Sequence, residues 1–469
     1  MNRMNGRVAR WWHGREGTWW WSIVVIVLPV AAVAAAAVTA LLAFVGDDGQ
    51  PGEQARNRIE LIRTGLTVGA GAAGVVALVL NGRRQWSTEH DARERRLTEL
   101  YVKAVEQLGS GEAAVRHGGL HALERVAKDN PAHRQTVVNV LCAYLRAPYA
   151  LPGGERSRPR RGIRRPLAPS SPRQAAPPRS VLRDDVQQER EVRLTAQRIL
   201  TAHLRPTDDH GHPLSAFWAD VDLNLTGATL IDFDLAGSRL GTAIFTGAEF
   251  VGGAGFDGVT FTGDARFDAA VFPVNTGFGG ATFAGYAGFA GASFAGDARF
   301  GGARFSGNTA FDGASFAGDV RFGRATFAGH AAFDGASFAG YAGFVRTRFV
   351  AYTGFGTTSF AGHAVFDNAT FAGYTVFDGA TFAGDAGFGG ATFAGDALFD
   401  TAGFAGDARF GRASFAGNVR FADATFGGAA DFTDTKFRRG VPEPAKALAP
   451  PETGGVRGTG PDGRPGSSR

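Results

Sequence analysis

The sequence predicts a chain of mixed class: two N-terminal transmembrane helices, a small cytoplasmic helical segment, and a β-helix of short parallel strands over its C-terminal half. Three observations predict it. Residues 18–46 run for 29 positions without a charge. Residues 97–147 carry apolar side chains at helical spacing. From Phe245 to Phe437 the phenylalanines alternate intervals of five and six residues without a break, which accounts for 36 of the chain's 39 Phe.

Composition bounds the answer. One cysteine in 469 residues excludes a disulfide framework and any multi-cysteine metal cluster. Charged residues are 20% and apolar residues 44%, so the chain as a whole is not disordered.

Residues 1–17 form a cytoplasmic N-terminus, followed by the first span at 18–46. The span exceeds the roughly 20 residues that cross a bilayer as a helix. Trp19, Trp20 and Trp21 form an interfacial belt at its start. The run is too long for a signal peptide and no A-x-A site closes it. An external loop at 47–63 leads to a second uncharged stretch, 64–82, in which Gly65 and Gly69 form a GxxxG that permits close helix packing. Arg3, Arg7, Arg10 and Arg15 precede the first span, and Arg83, Arg84, Arg93, Arg95 and Arg96 follow the second. In the loop, Asp47, Asp48, Glu53 and Glu60 offset Arg56, Arg58 and Arg63. This bias places both termini in the cytoplasm and the protein in the inner (plasma) membrane as a multi-pass protein.

Residues 83–147 read as a cytoplasmic helical domain. Leu97, Leu100, Tyr101, Ala104, Val105 and Leu108 mark a first helix, Ala113 to Ala127 a second, and the segment around Cys142 a third. Cys142 stands among Val140, Leu141 and Leu145, the surroundings of a buried structural thiol. Residues 148–183 then change character, with nine Arg from Arg156 to Arg183 set among prolines against the single acid Glu155. This is a disordered basic linker and a solvated tether, with anionic lipid contact as its functional alternative. It has no aromatic residues on which nucleic acid bases would stack. An amphipathic capping helix follows at 184–204, and a connecting loop at 205–218.

The repeat occupies 219–437. Leu225, Leu230, Leu235, Leu240 and Phe245 are spaced by five; the alternation of five and six then runs through Phe250, Phe256, Phe261, Phe267, Phe294, Phe300, Phe338, Phe393, Phe399, Phe426 and Phe432. Two positions before every ladder Phe stands Ala, Val or Thr. In an extended strand these two side chains point the same way. A three-residue strand repeated every five or six residues must turn a corner each time, so four strands close a square coil and the large side chains stack along one axis. Gly two after Phe in the six-residue spacer (Gly263, Gly296, Gly384, Gly406) fits a corner that needs unusual backbone angles. About ten coils at ~4.8 Å give a rod of roughly 50 Å. Phe233 stands where a small residue is expected. Residues 438–469 read as a disordered tail.

The units GATLI (227–231), DLAGS (234–238) and TGAEF (246–250) resemble the pentapeptide-repeat family. The resemblance covers the whole repeat, 219–437, and implies a right-handed quadrilateral β-helix. This chain departs from the family in its six-residue units: from Phe250 on, every second unit has one residue more than the family's five. The two spans and the segment Val115 to Ala127 are similar to membrane-anchored actinobacterial members of the family.

The chain offers no catalytic constellation and implies no cofactor, metal or small-molecule substrate. His117 and His121 lie four apart on a helix but lack an HExxH order or a third ligand. Asp209, His210 and His212 read as a polar turn. The GAGAAG run at 69–74 lies inside a span, not in a phosphate loop. Two functions of different kinds remain. One is a rigid scaffold that presents flat faces to a cytoplasmic protein partner. The other, implied by the resemblance, is a mimic of duplex DNA that binds type II topoisomerases. Residues 219–437 hold 21 acidic and 12 basic residues, a net charge near −9. Duplex DNA of ~50 Å carries about 30 charges, so a nucleic-acid role is disfavoured. Arg266, Arg299, Arg321, Arg409 and Arg420 recur immediately before a ladder Phe and add positive charge to the rod.

Overall fold

The structure, a computed structural model, describes residues 95–149, 151, 179–208, 210–443 and 445, with isolated helical positions at 35, 36, 39, 63, 74, 77, 78 and 81. It divides into two units, residues 1–99 and 100–469. Apart from those isolated positions, the expected spans at 18–46 and 64–82 lie outside the described residues, as does the loop between them. Among the described residues no helix is long and apolar enough to cross a membrane.

Helix α1 (residues 95–108) is followed by α2 (Ala113–Asp129), a 3-10 turn at Pro131–His133, α3 (Arg134–Arg146) and α4 (Arg179–Leu204). Leu120 and Leu123 of α2, Val137 and Leu141 of α3, and Val192 and Ala196 of α4 are fully buried. A Cβ on Gly119 would fall 2.8 Å from the Ala104 carbonyl oxygen, so only glycine allows α1 and α2 to approach this closely. Helix α4 starts five residues before the expected Asp184, which makes Arg179 and Arg183 helical. The rest of the basic linker lies outside the described residues except for residues 148, 149 and 151.

The repeat folds as a parallel β-solenoid of about ten coils. Each regular coil contributes four strands, most of two residues, and each strand pairs in parallel with its counterpart one coil away. The first face starts at Leu223–Asn224 and includes Ala287–Gly288. The second includes Ser293–Phe294, the third Ala298–Arg299 and the fourth Arg304–Phe305. The first and fourth faces are ten-stranded sheets. The second and third merge into one 18-stranded sheet, because Thr229–Asp234 and Glu249–Gly255 run continuously around their shared corner.

Coil length changes along the rod, and the register records where. Leu223 pairs with Ala243, an offset of 20, and Leu240 with Phe261, an offset of 21. Thr260 pairs with Thr282, an offset of 22, and that spacing then persists. The irregularity falls between Ile231 and Phe233, opposite Gly252 and Gly253. Phe233 fills the small-residue position there, 1% exposed, with its ring edge-on to Phe245 at 6.2 Å.

The glycines correct the sequence expectation about corners. Gly263, Gly296, Gly384 and Gly406 do not have positive φ. The left-handed corner lies two residues after Phe in the five-residue spacer, as at Gly335 (φ 66°), and Arg324 and Arg346 adopt it too at 62° and 57°. The six-residue-spacer glycines are needed for a different reason. A Cβ on Gly318, Gly340, Gly384 or Gly406 would lie 2.6–2.8 Å from the carbonyl group of the equivalent glycine one coil below. At these glycines the backbones of successive coils lie too close for a side chain, although the same position holds Val274 and Ala351 in two other coils.

Inside, rings one coil apart stack nearly parallel; Phe278 and Phe300 lie 4.8 Å apart at 2°. Rings from the first and third faces meet edge to face across the axis, as Phe278 and Phe289 do at 5.5 Å and 89°. Each buried Phe contributes roughly 1.5–3 kcal/mol from burial before entropy is subtracted, and favourable ring pairs add about 0.5–1.5 kcal/mol. No coil buries its own rings, so the neighbours supply the stability.

Candidate interaction faces

With the ladder turned inward, function falls to the rows that face out. The expected ladder residues Leu225, Leu230, Leu235, Leu240, Phe245, Phe250, Phe256, Phe261, Phe267, Phe294, Phe300, Phe338, Phe393 and Phe399 are at most 1% exposed. Phe426 and Phe432 are only half-buried, because too few coils lie beyond them.

The second and fourth faces present short side chains. Ser293, Ser315, Ser337 and Ser359 follow one another on the second, and Thr260, Thr282, Thr326 and Thr370 recur on the fourth, interrupted by Arg304 and Arg348. The first and third faces carry the polar and aromatic groups. Their outward rows stand three before, one before and one after each Phe. The recurrent arginines divide between these two faces: Arg266 and Arg420 lie on the first, Arg299, Arg321 and Arg409 on the third.

Many outward carboxylates serve the backbone. Asp257 Oδ1 accepts the Gly279 N–H at 2.6 Å, and Asp334 Oδ1 accepts the Gly356 N–H at 2.6 Å, each one coil ahead. Asn275 caps Asp297 N–H in the same way, and His363 Nδ1 accepts the Asp385 N–H at 3.1 Å. Others pair with arginine, as Asp319 does with Arg321 (2.9 Å), while Arg409 bridges Asp385 and Asp407. A shallow groove on the third face lies among Tyr341, His363, Asp385 and Arg409. Its histidine nitrogen and its guanidinium are thus already engaged by neighbouring coils.

Three tyrosines adopt a posture that their sequence context explains. Tyr286, Tyr341 and Tyr352 stand two residues before Gly288, Gly343 and Gly354. A Cβ on Gly288 would come within 2.8 Å of Tyr286 Cε1, and one on Gly354 within 3.1 Å of the Tyr352 hydroxyl. The rings therefore fold over the face where a side chain is missing. Burial pushes the hydroxyls of all three above the usual tyrosine range. Tyr374 precedes Val376 instead and is 44% exposed. The Tyr-x-Gly pairs are legible in the sequence, but their meaning depends on knowing that both residues share one outward face.

At the N-terminal end the solenoid is closed by helices. Gln197 Nε2 donates to the Ile231 carbonyl at 2.6 Å, and Gln197 Oε1 accepts the Ile231 N–H at 2.9 Å. Gln135 does the same for Asp222, with both bonds at 2.9 Å. Each amide takes the place of a neighbouring strand. His203 stacks on Trp218 at 4.0 Å and 2°, with Nε2 at 3.0 Å from Glu124 Oε1 and Nδ1 at 2.7 Å from the Ala216 carbonyl. Burial raises the Glu124 carboxyl, but hydrogen bonds from His203 and His121 outweigh it and hold the group below its ordinary range.

The remaining candidates are structural. Cys142 is 1% exposed and burial pushes its thiol up to about 11, so it is not a nucleophile. His121 meets Glu124 on its own helix and His117 does not join it in a cluster; among the described residues no group of three or more His, Cys, Asp or Glu could hold a metal. Asp208 Oδ1 accepts the N–H groups of His210 and His212, which makes a polar turn, and Asp209 lies outside the described residues.

No curated protein and no solved structure matches the chain. A family model does: the model described as pentapeptide repeats (9 copies) matches residues 289–337 and 388–436. Both stretches lie within the long, regular coils, where the register, the phenylalanine ladder and the small inward residues repeat without interruption, so the solenoid carries pentapeptide repeats over these residues.

Proposed function

We propose that this protein is a membrane-anchored, non-catalytic scaffold whose solenoid stands on the cytoplasmic side of the inner membrane and offers its flat faces to a protein partner. The observation that carries the scaffold reading is the division of labour in each coil. Phe and small residues fill the axis, while short, regularly spaced outward rows run for about ten coils. Such rows suit recognition by surface complementarity, since a stacked backbone holds them in place without further ordering. The uncharged stretches 18–46 and 64–82 and the arginines that flank them support the anchoring.

The acidic residues weigh against a duplex-DNA mimic. The outward rows of the first face from Asp264 to Arg420 hold seven acids and two arginines. Several of those acids are engaged by backbone N–H groups or by arginine.

Two measurements test the proposal. The full chain should stay with membranes after alkaline carbonate extraction, and added protease should cut the solenoid in inverted vesicles while sparing it in intact cells. Release by carbonate, or cleavage from outside, would overturn the anchoring and topology. Stoichiometric protein should leave topoisomerase supercoiling unchanged; inhibition would replace the scaffold with the mimic.

A further inference from the structure

The first face has a central tract unlike the rest of the rod. One outward row reads Tyr286, Asn308, His330, Tyr352, Tyr374. Tyr352 packs between His330 (6.0 Å, edge-on) and Tyr374 (6.1 Å, stacked), so these three rings form an aromatic strip. The row between is small: Gly288, Ala310, Ala332 and Gly354. The third row places Asp312, Asp334 and Asp378 alongside. No Lys or Arg stands in these rows between Arg266 and Arg420, and those two pair with Asp264 and Asp400 at the ends of the tract. Among the described residues no cation pairs with Asp312, Asp334 or Asp378. Burial raises the carboxyls of Asp312 and Asp378, and a neighbouring carboxylate adds to it in each case. The tract therefore sets an aromatic strip beside carboxylates that, among the described residues, have no salt-bridge partner.

The group that satisfies both is guanidinium, which stacks on aromatic faces and forks onto carboxylates. The chain supplies it. Residues 152–178 hold seven arginines against one acid, Glu155. The segment joins α3 to α4. Helix α3 packs on Leu223–Asn224, the first strand of this same sheet, and α4 packs on Thr229–Asp234. About 30 residues at ~3.1 Å each give ~90 Å of extended chain. Tyr352 lies six strands from the edge of the sheet, or about 29 Å at ~4.8 Å per strand, so the segment can run out and return. Tethering puts the arginines at an effective concentration in the millimolar range.

We propose that the central tract of the first face is the docking site for the chain's own residues 152–178, with guanidinium groups stacked on Tyr352 and Tyr374 and paired with Asp312, Asp334 and Asp378. This inference does not depend on the membrane reading.

The test places p-benzoylphenylalanine at Tyr374 in the full chain, irradiates it in neutral detergent as a mixture of light and heavy isotope copies, and maps the adducts by mass spectrometry. The expected result is cross-linking to residues 152–178 of the same copy. It should fall at least tenfold when Asp312, Asp334 and Asp378 are all changed to Asn, or when the seven arginines are changed to Gln. Asn keeps the backbone acceptor, as Asn275 and Asn308 do elsewhere in the rod, so the first variant removes charge without uncapping the coils. Tyr341 on the third face, which folds over Gly343 but stands near Arg321, is the control position. Adducts to the other isotope copy, adducts to a different segment, equal yield at Tyr341, or a yield indifferent to both charge variants would each overturn the proposal.

Discussion

The two ends of the solenoid are finished differently. At the first coil, α3 and α4 cover the edge, and the amides of Gln135 and Gln197 bond to backbone groups that would otherwise face no strand. Trp218 beneath them is 1% exposed. At the last coil Phe426, Phe432 and Phe437 are half-buried. Phe437 stacks on Phe415 below it at 5.3 Å, and Lys436, Arg438 and Arg439 surround it with charge. Ala445, in the stretch expected to be a disordered tail, is helical and 4% exposed. The difference shows how a repeat rod ends. A dry core of stacked rings needs either a cap that imitates another coil or a graded loss of burial with charges that discourage edge pairing.

This comparison can be broken from the middle outward. Replacing Phe338 with Asp puts a carboxylate on the dry axis and should cost about 5 kcal/mol or more. Circular dichroism should then show loss of the cooperative β-sheet transition, and an unchanged melting curve would remove the inward assignment on which the comparison rests. Phe437→Ala, by contrast, deletes a half-exposed ring. It should cost well under the ~3–5 kcal/mol of a fully buried Phe→Ala such as Phe338→Ala; equal costs would mean that the last coil is covered as fully as the middle.

The corners provide a sharper test. Gly340→Ala meets the Gly318 carbonyl at 2.8 Å, whereas Gly335→Ala meets only the left-handed backbone preference that Arg324 and Arg346 already tolerate. Gly335→Ala should cost about 1 kcal/mol, and Gly340→Ala clearly more. Denaturant titration would read the order, and the reverse order would contradict the assignment of the two corner types.

At the sealed end, Gln197→Ala leaves two buried backbone groups of Ile231 without partners, at about 1–3 kcal/mol each. Hydrogen exchange should quicken around 229–234 and stay unchanged near Phe437. The smallest effect is electrostatic. The folded-state carboxyl of Glu124 lies below its ordinary value near 4.5, so its contribution is present in full above that pH and is lost as pH falls through the depressed value. Helices α2 and α4 should therefore lose protection first in acid. A Glu124→Gln chain should show a flatter pH profile there, and an identical profile would sever Glu124 from the cap.

The ladder is legible because inward residues must be large and apolar in every coil, and any repeated requirement leaves a period in the sequence. The αL corners fall at the wrong spacer in a reading of the sequence alone, because glycine satisfies two demands that look alike in one dimension. At Gly335 it supplies a positive φ, and at Gly340 it makes room for the carbonyl of another coil. The second demand comes from a residue one full coil away and has no local signature. Gln135 and Gln197 are invisible for the same reason, since nothing near them in the chain marks an amide as a strand substitute.

The sequence by itself determined that the chain winds, that its rings face inward and that the coils lengthen once the six-residue units begin, because periodic burial is a local pattern repeated. Only the tertiary structure decided which outward residues share a face, which glycines are closed to side chains and how the ends are finished. Those properties depend on distances between coils, and a linear pattern contains residue identities but not the ~4.8 Å stacking that brings them together.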